Sequence, residues 1–131
     1  MEELRMRDSS TTNDPVKLAL LAKRELKRDP RQAAEKAYLA AVLSARQIVR
    51  ALGARLRDRS SASAIGRAAQ LIGERFPGRV DLRKVTGAFQ HALGNHKSCF
   101  YEGVCERGTV REDVEAVVRA VKTVRRVFGA T

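Results

Sequence analysis

From Pro15 onward, apolar residues recur every three or four positions, the period of helices that bury one face. Asp14-Pro15 and Asp29-Pro30 each pair a capping side chain with proline at a first helical position. They predict one helix over Pro15–Lys27 and a second over Pro30–Leu56, with Gly53 as a place where the second can end. Tyr38, Ala41, Ala45, Ile48 and Leu52 form the seam of that second helix. A polar connection, Arg55–Ser63, precedes a third helix with Ile65, Ala68, Ala69, Ile72 and Phe76 on one stripe, stopped by Pro77-Gly78. Asp81 is expected to cap a fourth helix that reaches Tyr101 or beyond. Gly103 and Gly108 bracket a turn, and Thr109 with Glu112 matches a capping box. The fifth helix carries Val110, Val114, Val117, Val121, Val124 and Phe128 on one stripe, with Arg111, Arg119, Lys122, Arg125 and Arg126 on its other faces. Its valines keep a period of three to four rather than two, so no strand is predicted. The expected fold is all-α, an antiparallel bundle of four to five helices.

Residues 1–13 lack an apolar period and are read as a mobile N-terminal arm, leaving 14–131 as a single helical domain. With 131 residues, 44% hydrophobic and no Trp, the chain can bury a core built mostly of Ala, Val, Leu and Ile. The net charge is +11, distributed as −2 over residues 1–14, +8 over 15–59 and +5 over 60–131. The basic charge therefore belongs to the folded part, where it favours polyanions or forms solvated arginine faces. Arg50, Arg55, Arg57 and Arg59 form one candidate patch, and Arg119, Lys122, Arg125 and Arg126 a second. Without interleaved aromatic residues, either would act on charge and not by base stacking. No apolar leader or long apolar run is present, so a cytoplasmic protein without a membrane partner is expected. Abundant Arg with few Asn and Gln predicts thermal stability.

Candidate chemistry concentrates between Leu82 and Val104, which holds both histidines and Cys99. At about 100° per residue, Leu82, Val85, Phe89, Leu93 and Phe100 share the buried side of a helix, and His96 falls within it. His91, Asn95, Cys99 and Glu102 share a polar sector, with Lys97 and Tyr101 at the far edge. His96 reads as a core or interface histidine, or as a general acid or base with Tyr101 nearby. His91, Asn95, Lys97 and Glu102 are candidate binding residues for a phosphate or a base edge, or simply a polar face. His91, His96, Cys99 and Cys105 are potential metal ligands. Their spacing matches no finger and the two histidines point about 140° apart, so no metal or other cofactor is expected. Two cysteines make no secreted disulfide framework, and Cys99 has no helix N-terminus to stabilise a thiolate.

The Ala-rich helix with its central Tyr38, the stretch Cys99-Phe100-Tyr101-Glu102-Gly103 and the Val-rich last helix resemble the archaeal PaREP family of repeat-encoded proteins over residues 15–128. That family is similar to the HEPN superfamily of nucleotide-binding helical bundles. The resemblance implies a HEPN-like, often dimeric bundle, and in many HEPN domains a metal-independent ribonuclease or a toxin paired with a nucleotidyltransferase. The HEPN signature of Arg followed by His before the last helix is absent here, since its positions fall on Asn95 and Phe100. Three readings are open. The first and preferred is a non-enzymatic module that binds RNA, a nucleotide or an acidic protein partner, acting as a homodimer. The second is a divergent ribonuclease using His96, with Arg83, Lys97 or Tyr101 stabilising phosphate charge. The third is an assembly protein pairing through Val121, Val124 and Phe128.

Overall fold

In a computed structural model, residues 12–56, 58, 60–103 and 105–129 are described. The expected mobile arm lies almost wholly outside these residues. Five α-helices succeed one another: α1 Pro15–Glu25, α2 Pro30–Ala51, α3 Ser61–Arg75, α4 Val80–His96 and α5 Arg107–Phe128, with a π-helix, Lys97–Tyr101, continuing α4. No strand occurs among the described residues, so the fold is the all-α bundle that the apolar periodicity predicts. None of the helices described is long and apolar enough to cross a membrane.

The starts of α1 and α2 come directly from local chemistry. Asp14 accepts from the backbone N–H groups of Val16 and Lys17 at 2.9 and 3.4 Å. Asp29 does the same for Arg31 and Gln32 at 3.1 and 3.4 Å. Each cap is followed by proline, whose missing N–H is not needed in a first turn. Ser60 caps α3 through the N–H of Ser63. The helix α2 stops earlier than the predicted Leu56, because Gly53 takes a φ of +70° and turns the chain out of the helix.

Two expected caps do not form. Asp81 lies inside the first turn of α4, where Arg79 holds its carboxylate through two bonds of 2.9 and 2.8 Å. The Thr109–Glu112 box is absent because α5 begins earlier, at Arg107, and Thr109 Oγ1 donates to Glu106. In both cases charged side chains just ahead of the expected cap extend the helix by a turn or less.

The bundle is assembled on α2, of whose 22 residues twelve are buried. Six of these are alanines, Ala33, Ala34, Ala37, Ala40, Ala41 and Ala45. Their short side chains let α1, α3, α4 and α5 all pack against this one helix. Phe89 on α4 is the largest of the fully buried side chains among the described residues. Val110, Val114, Val117, Val121 and Val124 are buried as their spacing predicts. Their partners are helices of the same chain, α1, α2 and α4. Phe128 meets Phe76 edge to face at 6.2 Å between ring centres, and Gln47 on α2 donates to the Gly129 carbonyl at the end of α5.

Asp14 also ties the first helix to the last, because Arg125 donates to its carboxylate at 2.7 Å. Partial burial pushes this carboxyl up, but the Arg125 bond and the two cap N–H groups outweigh it and hold it below its ordinary 3.8. A depressed carboxyl stabilises the fold above that ordinary value and loses its contribution as pH falls through the lower folded one. Asp14→Ala is therefore expected to cost about 1–2 kcal/mol at pH 7. Urea denaturation measured from pH 7 downward should show the gap between variant and parent closing below pH 4.

Candidate functional site

The two faces of α4 serve two different neighbourhoods. The inner face carries His96 toward α2. Its ring is 3.9 Å from that of Tyr38, centre to centre, and the planes are 5° apart. His96 Nδ1 lies 2.8 Å from Glu35 Oε1. Tyr38 and Glu35 are one helical turn apart on α2, so a single face of that helix supplies both contacts. His96 and Tyr38 are buried. The carboxylate beside Nδ1 holds the plane of the ring, and the stacked tyrosine covers one of its faces. This arrangement suits a side chain that locks α4 to α2.

Beyond His96 the π-helix changes the direction of each side chain. A π-turn advances each residue by less than the 100° of an α-helix, and the N–H of Glu102 bonds to the carbonyl of Lys97, five residues back. Cys99, expected on the polar sector with His91 and Asn95, is rotated into the core and is fully buried. It is joined to Cys105 in a disulfide with the Cα atoms 4.3 Å apart. Neither sulfur is then available as a thiolate ligand or nucleophile. Closing so short a loop contributes about 2 kcal/mol in the chain-entropy picture, and it holds the π-helix against the segment that leads into α5. Lys97 and Glu102 are exposed. For Tyr101 the backbone belongs to the π-helix, and its side chain lies outside the described part of the chain.

The outer face of α4 carries His91 and Asn95 toward α5, where they meet Asp113. His91 is exposed, Asn95 is half-buried with its Nδ2 fully covered, and Asp113 is only 9% exposed. Burial pushes the Asp113 carboxyl above its ordinary 3.8, partly offset by the neighbouring Asn95 amide and His91. His91 and Asp113 stand at one end of a cavity of about 690 Å³ between α4 and α5. Helical spacing singles out His91 and Asn95 but neither Asp113 nor Glu35. Asp113 does leave a signal in the sequence, an acidic residue between Val110 and Val114 on an otherwise apolar stripe.

Arginines gather around the connection between α2 and α3. Arg50 and Arg55 are exposed, and Arg57 and Arg59 lie outside the described residues. Arg55 and Arg67 line a second cavity, of about 550 Å³, with Asp58, Ser63 and Gln70. Arg75 donates to the Leu52 carbonyl at 2.7 Å. The connection thus runs alongside α3, from its last turn to its first. Asp58, the one carboxylate lining this cavity among the described residues, is engaged by the N–H of Ser60 at 2.9 Å. Among the described residues, no group of three or more His, Cys, Asp or Glu side chains is arranged to hold a metal ion.

The fold and these features define an all-α, arginine-rich bundle with a groove along α4 and α5 that has charged ends and an apolar middle. The model of the archaeal PaREP1/PaREP8 family matches residues 14–121, and the chain belongs to that family. The match takes in all of α1 to α4, the π-helix and most of α5. Neither a curated protein nor a solved structure matches the chain.

If His96 locks α4 to α2, its removal is a stability effect. His96→Ala is expected to cost about 2–3 kcal/mol and Glu35→Gln about 1 kcal/mol. The double variant should fall short of their sum by at least 0.5 kcal/mol, about the smallest coupling expected of groups in contact. Chemical denaturation of all four proteins measures this. Asp113 predicts the opposite pH behaviour to Asp14. A carboxyl raised by burial leaves the fold most stable below its ordinary 3.8, and stability is lost as pH rises through the folded value. Asp113→Asn should therefore raise Tm at pH 7 by on the order of 2 °C, with the gain vanishing below pH 4.

Proposed function

We propose that this protein is a non-enzymatic binding module that holds RNA through the arginine surface around the α2–α3 connection. One observation carries the reading: Arg55 and Arg67, from two different elements, line one cavity, with Arg50 and Arg75 exposed on the helices that flank it. Asp58, the acid there, is already engaged by a backbone N–H and offers the arginines little competition for phosphate. Among the described residues no aromatic side chain lines the cavity, so contacts are to the phosphate chain and sequence preference is weak. The overall charge of +11 adds long-range attraction for such a partner.

Binding is preferred to cleavage because of the setting of His96. A general acid or base must reach the proton that it moves, whereas this ring is buried and stacked on Tyr38. An acidic protein partner, such as a nucleotidyltransferase, would be drawn to the same charges. Competition between RNA and such a partner would locate both on one surface.

A short single-stranded RNA should bind with an affinity that falls steeply as salt rises. Replacing Arg50 and Arg55 together with Gln should weaken binding about tenfold at 0.1 M salt and lower the slope of log K against log salt by about 1.4, two contacts at roughly 0.7 each. Fluorescence anisotropy across a salt series measures both quantities. An unchanged slope would remove this surface from the reading, and intact RNA in the same samples would separate binding from cleavage.

A further inference from the structure

The cavity between α4 and α5 has a different character from the arginine surface. Its middle is formed by Val85, Ala88, Ala116 and Ala120, and its two ends are charged. His91 and Asp113 are neighbours, so the end of α4 lies beside the beginning of α5. Lys84 is seven residues before His91 and Arg119 six after Asp113. At 1.5 Å of rise per residue, the backbone positions of both lie about 10 Å along the helix axes from the Asp113 end. Thus Glu112 and Asp113 mark one end, and Lys84 and Arg119 the other. Asp81 also lines the cationic end, but Arg79 neutralises it.

Asp113 is the unusual member of this set. It is more than nine-tenths buried, it lines the cavity, and no Lys or Arg pairs with it among the described residues, its polar neighbours being the Asn95 amide and His91. These offset its burial only in part, and a ligand that brings an ammonium group recovers more of that cost on binding. Glu112 and Asp113 would repel a chain of phosphates, which sets this groove apart from the surface proposed for RNA. Its volume falls in the range of small-molecule sites.

We infer that the α4–α5 groove binds a short zwitterion, with an ammonium group at Glu112 and Asp113 and a carboxylate at Lys84 and Arg119. The apolar middle receives the part of the ligand between its two charges. An extended peptide spans at most about 3.3–3.6 Å per residue, so three residues fit the 10 Å between the ends. The ligand class is thus a tripeptide-sized molecule with both termini free, and small side chains suit the alanine floor.

The probe is tri-alanine, tested beside its N-acetylated form, which lacks the ammonium, and its C-terminal amide, which lacks the carboxylate. The full chain has two histidines, and their ring proton signals report the site. Tri-alanine should shift the His91 signals and leave those of His96, on the opposite face of α4, in place. Each capped form should bind at least tenfold more weakly. Arg119→Gln, an exposed change that leaves the core untouched, should weaken tri-alanine at least tenfold, as should Asp113→Asn. Ala116→Leu should block the groove, and Arg55→Gln, outside it, should have no effect. Equal binding of free and capped peptides would overturn the inference, as would no His91 shift at millimolar tri-alanine with the parent protein folded.

Discussion

Close approach to α2 is the constraint on which the other elements depend. A helix that contacts four others cannot carry bulky side chains all around, because the neighbours would then compete for the same space. Alanine resolves this, giving up buried area per residue but letting four helices pack on one axis. The large side chains come from the surrounding helices, with Phe89, Leu82 and the valines of α5 closing on the alanine surface. A chain with so few aromatic residues therefore still builds a continuous core.

The remaining chemistry is organised by α4, which lies between α2 and α5. Its inner histidine reaches a carboxylate and a tyrosine of α2, while its outer polar residues border a groove with α5. The π-helix lies where these two roles meet. It turns Cys99 inward, and the disulfide to Cys105 then anchors the chain just before α5. The angle at which α5 departs sets how α4 and α5 face each other, so the shape of the groove depends on this short segment.

Charge is also divided by location. Arginines dominate the α2–α3 side, whereas Glu112 and Asp113 gather beside His91 on the α4–α5 side. The first presents mainly positive charge, and the second has an acidic end. The two surfaces therefore suit ligands of different charge, and a single net value of +11 conceals that difference.

The helices are legible in the sequence because their causes are local. Caps at Asp14 and Asp29, proline at first positions and a three-to-four apolar period act within a turn or two of the residues concerned. The burial of His96 comes from the same arithmetic, since it lies on the stripe of Leu82, Val85 and Phe89. That arithmetic fails at Cys99, because a π-turn alters the angle per residue and no residue type announces it. The limits of α4 and α5 shift for a related reason, as the pairs Arg79–Asp81 and Glu106–Thr109 displace the expected caps. What only the tertiary structure decided is which distant residues meet. Glu35 and Tyr38 are far from His96 along the chain, and Asp113 is far from His91 and Asn95. Their meeting depends on how three helices pack, and a periodicity read one helix at a time holds no information about that packing.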